Sequence, residues 1–529
     1  MHHTDDTIVA PATVPGTGAI SILRLSGPQA ISIADKVLSA GTAVQLQDAR
    51  GYTLHFCTAH CEDGKLLDEV LCSVFRAPHS YTGEDSVEIS CHASSYIVQE
   101  LMCQLIAAGA RSAEPGEFTR RAFLNGKMDL AQAEAVADLI SSSSALAHRV
   151  AISQLKGGIS SQLAAMRSQL VDLASLLELE LDFSEEDVEF ADRGKLKKLL
   201  DEVQTHIDRL KRSFRTGNAI RNGVPVAIVG AANSGKSTLL NALLGDERAI
   251  VSPIAGTTRD TVEETLSLDG TLFRFIDTAG IRETSDEIES IGISRTLSRL
   301  AAADVVFGVL DASLPLPEIV RSADEIASLV HFDRQVLVLL LNKWDKVVAE
   351  ASGSLAGTDS GSSQVASSPA DSGASEDVLS CLDTASSEGS KPAPNGLSLA
   401  DLSLNKIVIE LNKNVLLSER KVDILPLSAK AGFGVEDLEN KLCTLYRQRF
   451  ASVSDAADSV LVTNARHYNA LCSASEALAR VRSGLDSGTS TVLVAQDLRD
   501  ALYHLGSITG EVTTDEILGT IFKHFCIGK

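Results

Sequence analysis

The sequence predicts a multidomain protein mixing α+β and α/β folding: an N-terminal α+β domain, a helical domain split in the sequence, and a P-loop α/β domain inserted between the two helical parts. Three observations predict this. Residues 1 to 122 alternate short apolar runs with turn signals, 123 to 220 and 451 to 529 carry apolar residues at helical spacing, and 221 to 450 opens on an apolar run that feeds a glycine-rich loop. A chain of 529 residues has room for several domains of about 150 residues each.

In the first domain the apolar runs 19 to 25, 70 to 75 and 87 to 89 read as strands, separated by turn signals such as Pro15-Gly16 and Thr82-Gly83. From about residue 128 the period becomes helical. Leu163, Met166, Leu170, Leu173 and Leu177 form one seam, and Leu196, Leu200, Val203, Ile207, Leu210 and Phe214 form a second, so two helices each present one apolar face to a bundle. A helical pattern returns at 470 to 485. If both helical parts pack together, the domain between them is an insertion, which a host tolerates when the guest's termini lie close together. Residues 351 to 400 are dense in serine and glycine, with no aromatic residue and too little apolar surface to offset the entropy of ordering. A disordered insert over about 347 to 404 is expected, and deleting 351 to 396 should leave nucleotide binding nearly unchanged.

Composition narrows the classes of function. Apolar residues make up 44% and charged residues 22%, so real cores are available; aromatics are only 4%, so those cores are built from Leu, Ile, Val and Ala. A net charge of −23 repels polyanions, which excludes non-specific coating of RNA and leaves nucleic-acid contact to a local basic patch or a partner's surface. The basic residues Arg209, Lys211, Arg212, Arg215 and Arg221 are the one local cluster, and they suit a charged helix end better than a phosphate groove. Nine cysteines at irregular spacing, with Cys57 and Cys61 missing a CxxC pattern by one residue, read as reduced thiols. The apolar run 336 to 341 is far short of the ~20 residues of a membrane span, and no arginine precedes Arg24 as a targeting segment would require. A cytoplasmic, unprocessed protein without a membrane partner is expected.

The chemistry lies in the inserted domain. Residues 230 to 237 read Gly-Ala-Ala-Asn-Ser-Gly-Lys-Ser, which is GxxxxGK[ST] between a strand-like run and a helical one. Its glycines let backbone N–H groups approach phosphates, Lys236 reaches the β and γ oxygens, Ser237 can hold Mg²⁺, and Asn233, Ser234, Gly235 and Thr238 complete the cradle. After the run ending at Leu341 come Asn342, Lys343, Trp344 and Asp345, whose carboxylate can accept from the N1–H and the N2 amino group of guanine; Ser428, Ala429 and Lys430 fit a base-supporting loop. The nucleotide is therefore GTP.

Between these loops lie two segments suited to sensing the γ-phosphate. Asp277, Thr278, Ala279 and Gly280 follow a strand, where the Asp would stand behind Mg²⁺ and the Gly280 N–H would face the phosphate. Upstream, Ser252, Pro253, Ile254, Ala255, Gly256, Thr257 and Thr258 offer Thr258 as the second Mg²⁺ ligand. Ile281 occupies the place where many GTPases carry a water-orienting glutamine, so Glu283 is the candidate to orient the attacking water, with Lys236 and Thr258 as its catalytic companions. No arginine finger is evident. Asn233, with Thr257 and the carbonyls of Ser252 and Ile254, could cage K⁺ where a finger otherwise stands.

Taken whole, the sequence resembles the MnmE (TrmE) family of tRNA-modification GTPases. The resemblance rests on the opening residues 6 to 10 with 18 to 24, on Tyr81-Thr-Gly-Glu-Asp85, on Pro115-Gly-Glu-Phe-Thr-Arg-Arg-Ala-Phe-Leu-Asn125, on the G motifs, and on the terminal Phe525-Cys-Ile-Gly-Lys529. It implies a folate-binding N-terminal domain that also forms a homodimer, a split helical domain, and a G domain whose K⁺-dependent pairing activates hydrolysis. It further implies joint action with the FAD-dependent protein MnmG, in a heterotetramer or larger complex, with FAD only on that partner. The product would be a carboxymethylaminomethyl or aminomethyl group on C5 of the wobble uridine of tRNA, the carbon coming from a tetrahydrofolate derivative in its 5,10-methylene or 5-formyl form. Folate contacts fall by similarity on Arg24, Glu88, Lys127 and Lys529. Cys526 is either a thiol nucleophile or a small apolar filler. Two departures stand out: Ala231-Ala232 replaces a more usual Arg-Pro or similar pair, and Cys91-His92-Ala93-Ser94 lacks glycines often found after that histidine. The rival is a regulatory or ribosome-assembly GTPase switch without modification chemistry.

Overall fold

The computed structural model describes residues 6–40, 45–61, 63–182, 193–248, 264–276, 300–349, 399–412, 422–450, 460–512, 515–523, 525 and 528. They form two compact units: Met1–Arg221 with Ser452–Lys529, and Asn222–Ala451.

The first unit contains a seven-stranded sheet of β1 (Ile8–Pro11), β2 (Ile20–Ser26), β3 (Leu38–Ala40), β4 (Thr53–His60), β5 (Leu66–Phe75), β6 (Ser86–His92) and β7 (Arg111–Ser112). Its spatial order is β3-β4-β5-β6-β2-β1-β7, antiparallel except for β1 beside β7. Alternation along the strands sends Leu23, Leu25, Val70, Val74, Val87 and Ile89 into a core under the helices Ala30–Val37 and Ser95–Ala107. At one end, the opposite face is covered where Ile8, Ala10, Ala113 and Phe118 cluster beneath the helix Glu117–Leu124. The segment 115 to 125 owes its charge pattern to this join: Glu117 Oε1 accepts from Arg111 at 2.7 Å and from Arg121 at 3.1 Å, while both arginines also hold Asp6. Among the described residues the rest of that face is uncovered, and Ile20, Leu54, Phe56 and Leu71 are exposed on it.

Both predicted helical seams are realised. Leu163 to Leu177 on the helix Gly158–Asp182 and Leu196 to Leu210 on the helix Arg193–Asn222 are buried in one core with residues of Ala465–Ser487 and Thr491–Thr509, so both helical parts of the sequence share it. The chain returns beside the place where it left: a Cβ on Gly217 would lie 2.2 Å from the Val462 carbonyl oxygen, so only glycine admits this crossing. Ser213 Oγ accepts from the Val462 N–H at 3.0 Å, and Gln154 Nε2 donates to the Leu461 carbonyl at 3.0 Å. Near the same crossing Glu134 is buried, with Arg466 Nε at 2.8 Å and His467 Nε2 at 2.7 Å, and Arg221 meets Asp138 at 2.7 Å. Burial raises the Glu134 carboxyl, but His467 and Arg466 outweigh it and hold the group at about 2.

The second unit is a six-stranded sheet of β8 (Val224–Val229), β9 (Glu264–Leu268), β10 (Thr271–Ile276), β11 (Val305–Asp311), β12 (Val336–Asn342) and β13 (Asp423–Pro426), in the order β13-β12-β11-β8-β10-β9. All neighbours are parallel except β9 and β10. β11 and β12 are apolar almost without alternation, because a parallel sheet covered by helices buries both faces. The expectation of an unstructured insert over 347 to 404 needs correction at both ends: residues 344 to 349 are helical, and the helix Leu399–Asn412 begins inside the range. The reason is local. Trp344 is anchored in the core, and Ile407 and Leu411 of the later helix bury in that same core. Residues 350–398 lie outside the described residues.

Candidate functional site

In an open α/β sheet, ligands bind beyond the carboxyl ends of the strands. Here β8 ends at Val229 and the helix Lys236–Arg248 starts seven residues later, which sets Gly230 to Gly235 as a tight loop at that edge. Its backbone is unusual in three places: Gly230 at φ 158°, Asn233 at φ 61° and Gly235 at φ 98°. Gly235 is obligatory on two counts, since a Cβ there would also stand 2.1 Å from Asn342 Nδ2. Lys236 Nζ donates to the carbonyls of Gly230 at 2.9 Å and Ala231 at 2.8 Å, so the loop folds its own ammonium over the mouth. Burial lowers the Lys236 pKa, and an incoming phosphate would restore a counter-charge. Ser237 and Thr238 are exposed on the first helical turn, and Ser237 Oγ suits a Mg²⁺ ligand.

The segment after β12 meets this loop directly. Asn342, fully inside, donates from Nδ2 to the Ser234 carbonyl at 2.7 Å and accepts at Oδ1 from the Ala429 N–H at 3.0 Å. The Trp344 N–H donates to the Leu427 carbonyl, and Ser428 Oγ donates to Asp345 Oδ1 at 2.6 Å. Ser428 thus fixes one oxygen of the Asp345 carboxylate, and Asp345 is exposed. Lys430 is exposed beside it. The structure therefore brings together Asn233 to Thr238, Asn342 to Asp345 and Ser428 to Lys430 along one sheet edge. Ser252, Pro253, Ile254, Ala255, Gly256, Thr257, Thr258, Asp277, Thr278, Ala279, Gly280 and Glu283 lie outside the described residues.

Sequence reasoning misses Asp311, the last residue of β11. Its Oδ2 lies 2.5 Å from Lys343 Nζ, and its Oδ1 accepts from Ser313 N–H at 3.0 Å and Ser313 Oγ at 2.6 Å. The available signal was an acid closing an otherwise apolar strand that lies next to β12.

A second cluster lies on the first unit's sheet. Arg24 and Glu88 are directly opposed across β2 and β6, and Glu88 Oε1 accepts from Arg24 Nε at 2.9 Å and Nη2 at 2.8 Å. The guanidinium carbon sits 5.4 Å from the Tyr81 ring centre and 5.8 Å from that of Phe118, and Arg24 Nη1 donates to the Gly528 carbonyl at 3.4 Å. Lys127 is exposed, donates to the Pro78 carbonyl at 3.0 Å, and lays its stem against the Gly83 turn that follows Tyr81. Tyr81 and Phe118 escape a reading based on charge, because only the fold puts their rings beneath Arg24. Lys529 and Cys526 lie outside the described residues.

Two family models match, and between them they span nearly the whole chain: "GTP-binding protein TrmE N-terminus" over residues 7–127 and "MnmE helical domain" over residues 130–526. The chain belongs to the MnmE family of tRNA modification GTPases. It is 44% identical over 531 residues to the tRNA modification GTPase MnmE of Bacteroides fragilis, covering 99% of both chains. Identity is 45% over 525 residues to that of Bacteroides thetaiotaomicron and 45% over 530 residues to that of Christiangramia forsetii, again with 99% of each chain covered. The chain is accordingly a GTP-hydrolysing enzyme of tRNA modification, with tRNA as its substrate and nucleotide and Mg²⁺ binding implied by the family; a switch without modification chemistry is not the family's role. No helix among the described residues is long and apolar enough to cross a membrane.

Proposed function

We propose that this protein is a K⁺-dependent GTPase which, as a homodimer and with an FAD-dependent partner of the MnmG type, builds a carboxymethylaminomethyl or aminomethyl group on C5 of the wobble uridine of tRNA. The one-carbon unit comes from methylene-tetrahydrofolate, and GTP hydrolysis gates the reaction through pairing of G domains. The observation that carries this reading is the Arg24–Glu88 pair, set over Tyr81 and Phe118 with the Gly528 carbonyl brought to it from the far end of the chain. A pterin offers an amino edge to a carboxylate and a flat face to aromatic rings, and an anionic tail to Arg24, Lys127 or Lys529.

Support for the dimer comes from the open sheet face, where directly opposed residues point the same way. Leu54, Ser73, Glu88, Arg24 and Ala10 form one row across the sheet, and Phe56, Leu71, Ser90 and Ile22 form the next. The apolar patch is thus continuous with the Arg24–Glu88 pair. Support for potassium is the Asn233 side chain, exposed on a left-handed residue and free of hydrogen-bond partners among the described residues. An amide oxygen is a suitable ligand for a hard monovalent cation.

The reading is tested by nucleoside analysis of tRNA from cells lacking the protein, complemented with wild type or Arg24→Ala. Wild type should restore the C5 substituent and Arg24→Ala should not; full restoration by Arg24→Ala would remove the folate site from this cluster. GTP turnover in KCl against NaCl at matched ionic strength tests the cation. Stimulation by K⁺ that disappears in Asn233→Ala is expected, whereas equal rates in both salts would reject the cage.

A further inference from the structure

Among the three polar side chains of the guanine-side segment, Lys343 is the one that, among the described residues, bonds to neither the 230–235 loop nor the 428–430 loop. Asn342 is committed to Ser234 and Ala429, and Asp345 to Ser428. Lys343 instead takes a left-handed backbone, φ 63°, a conformation a residue with a Cβ adopts only when its surroundings enforce it. The enforcement is visible at both ends of the residue. Its backbone is fixed between the buried Asn342 and Trp344, whose N–H is held by the Leu427 carbonyl. Its ammonium is fixed on Asp311 Oδ2 at 2.5 Å.

Asp311 is itself unable to swing. Strand pairing sets it directly opposite Asn342, the Ala312 N–H donates to the Asn342 carbonyl at 2.9 Å, and Ser313 fills the other carboxylate oxygen with two hydrogen bonds. Burial would raise the Asp311 carboxyl, but Lys343 and Ser313 outweigh it, so the group stays ionised. A lysine stem is four methylenes long and loses much rotamer freedom when ordered; a stem pinned at both ends has lost it before any ligand arrives.

We propose that Asp311 is a positioning residue for guanine: by anchoring the Lys343 ammonium it stretches the lysine stem into a fixed apolar rail beside Asp345, against which the flat face of the purine lies. The inference rests on the reading of Asp345 as the base-reading carboxylate. Asp311 acts through the Lys343 ammonium on the base side of the site, so its effect falls on GDP and GTP alike.

The experiment uses the full-length protein, fluorescent GDP and GTP analogues, and steady-state turnover. Asp311→Asn keeps the shape and removes the charge. It should weaken both nucleotides about tenfold and raise KM with kcat unchanged, as expected for losing one charge-assisted hydrogen bond. In a Lys343→Met background the same substitution should cost nothing further, because the rail no longer has an ammonium to anchor. Wild-type affinity in Asp311→Asn overturns the proposal, and so does an equal loss in the Lys343→Met background, which would mean that Asp311 acts through the fold. Asp345→Asn separates the two readings. It should shift preference from guanine to xanthine nucleotides, whose second ring carbonyl matches an amide. If that shift fails, the guanine site is misplaced and both readings fall; if it occurs while Asp311→Asn is silent, only the rail is wrong.

Discussion

Asn342 Nδ2 donates to the Ser234 carbonyl at 2.7 Å, so the glycine-rich loop after β8 and the segment after β12, the proposed phosphate and base sides of the site, are built as one piece. Two loops more than a hundred residues apart in sequence thereby share a single buried amide, and neither can move without disturbing the other.

Gly235→Ala should abolish this arrangement. The new Cβ would press on Asn342 Nδ2 at 2.1 Å and would also meet a φ of 98° that alanine avoids. Nucleotide affinity is expected to fall by at least about two orders of magnitude, consistent with a strained backbone plus an unpaired buried amide. Binding of a fluorescent GDP analogue measures it, and near-wild-type affinity would show that the loop can separate from Asn342 at little cost.

Glu134→Ala leaves His467 and Arg466 around an empty buried position, and a loss of about 3–5 kcal/mol from the first unit is expected in urea unfolding. The carboxyl stands at about 2 in the folded chain against an ordinary value of 4.5. A depressed carboxyl contributes stability that is fully present above about pH 4.5 and lost as pH falls toward 2. The stability gap between wild type and Glu134→Gln should therefore narrow across that window. A gap that stays constant from neutral pH to pH 2 would assign the stabilisation to packing.

Phe56→Glu places a charge on the exposed apolar part of the open sheet face, opposite Leu71, without touching the opposite core. If that face joins two copies, the variant should sediment as a monomer while wild type sediments as a dimer. Two dimers would move the interface elsewhere.

Glu88→Gln should weaken tetrahydrofolate binding by about tenfold, from loss of a charge-assisted acceptor, and leave basal GTP turnover unchanged, since the pair lies in the other unit from the nucleotide loops. Calorimetry with 5-formyl-tetrahydrofolate and a GTPase assay separate the two. A fall in turnover with no change in folate affinity would contradict the assignment.

The sequence by itself determined the class of each region and the identity of the nucleotide. Helical seams such as Leu163 to Leu177 are periodic in the sequence because one face must be buried, and the P-loop is legible because glycine, lysine and serine are demanded locally by phosphate. It also singled out Arg24 and Glu88, though only through likeness to a family. What the tertiary structure decided was every relationship between residues far apart in the chain. Asp311 anchors Lys343 because β11 and β12 are in parallel register, Arg24 lies over Phe118 and Tyr81 because Phe118 of the helix Glu117–Leu124 and Tyr81 both pack against β1 residues Ile8 and Ala10, and Gly217 is a glycine because the chain returns past it at Val462. Local spacing encodes what a segment needs from its own neighbours. Register, crossing and close approach depend on which other segment arrives, and that is set only when the cores close.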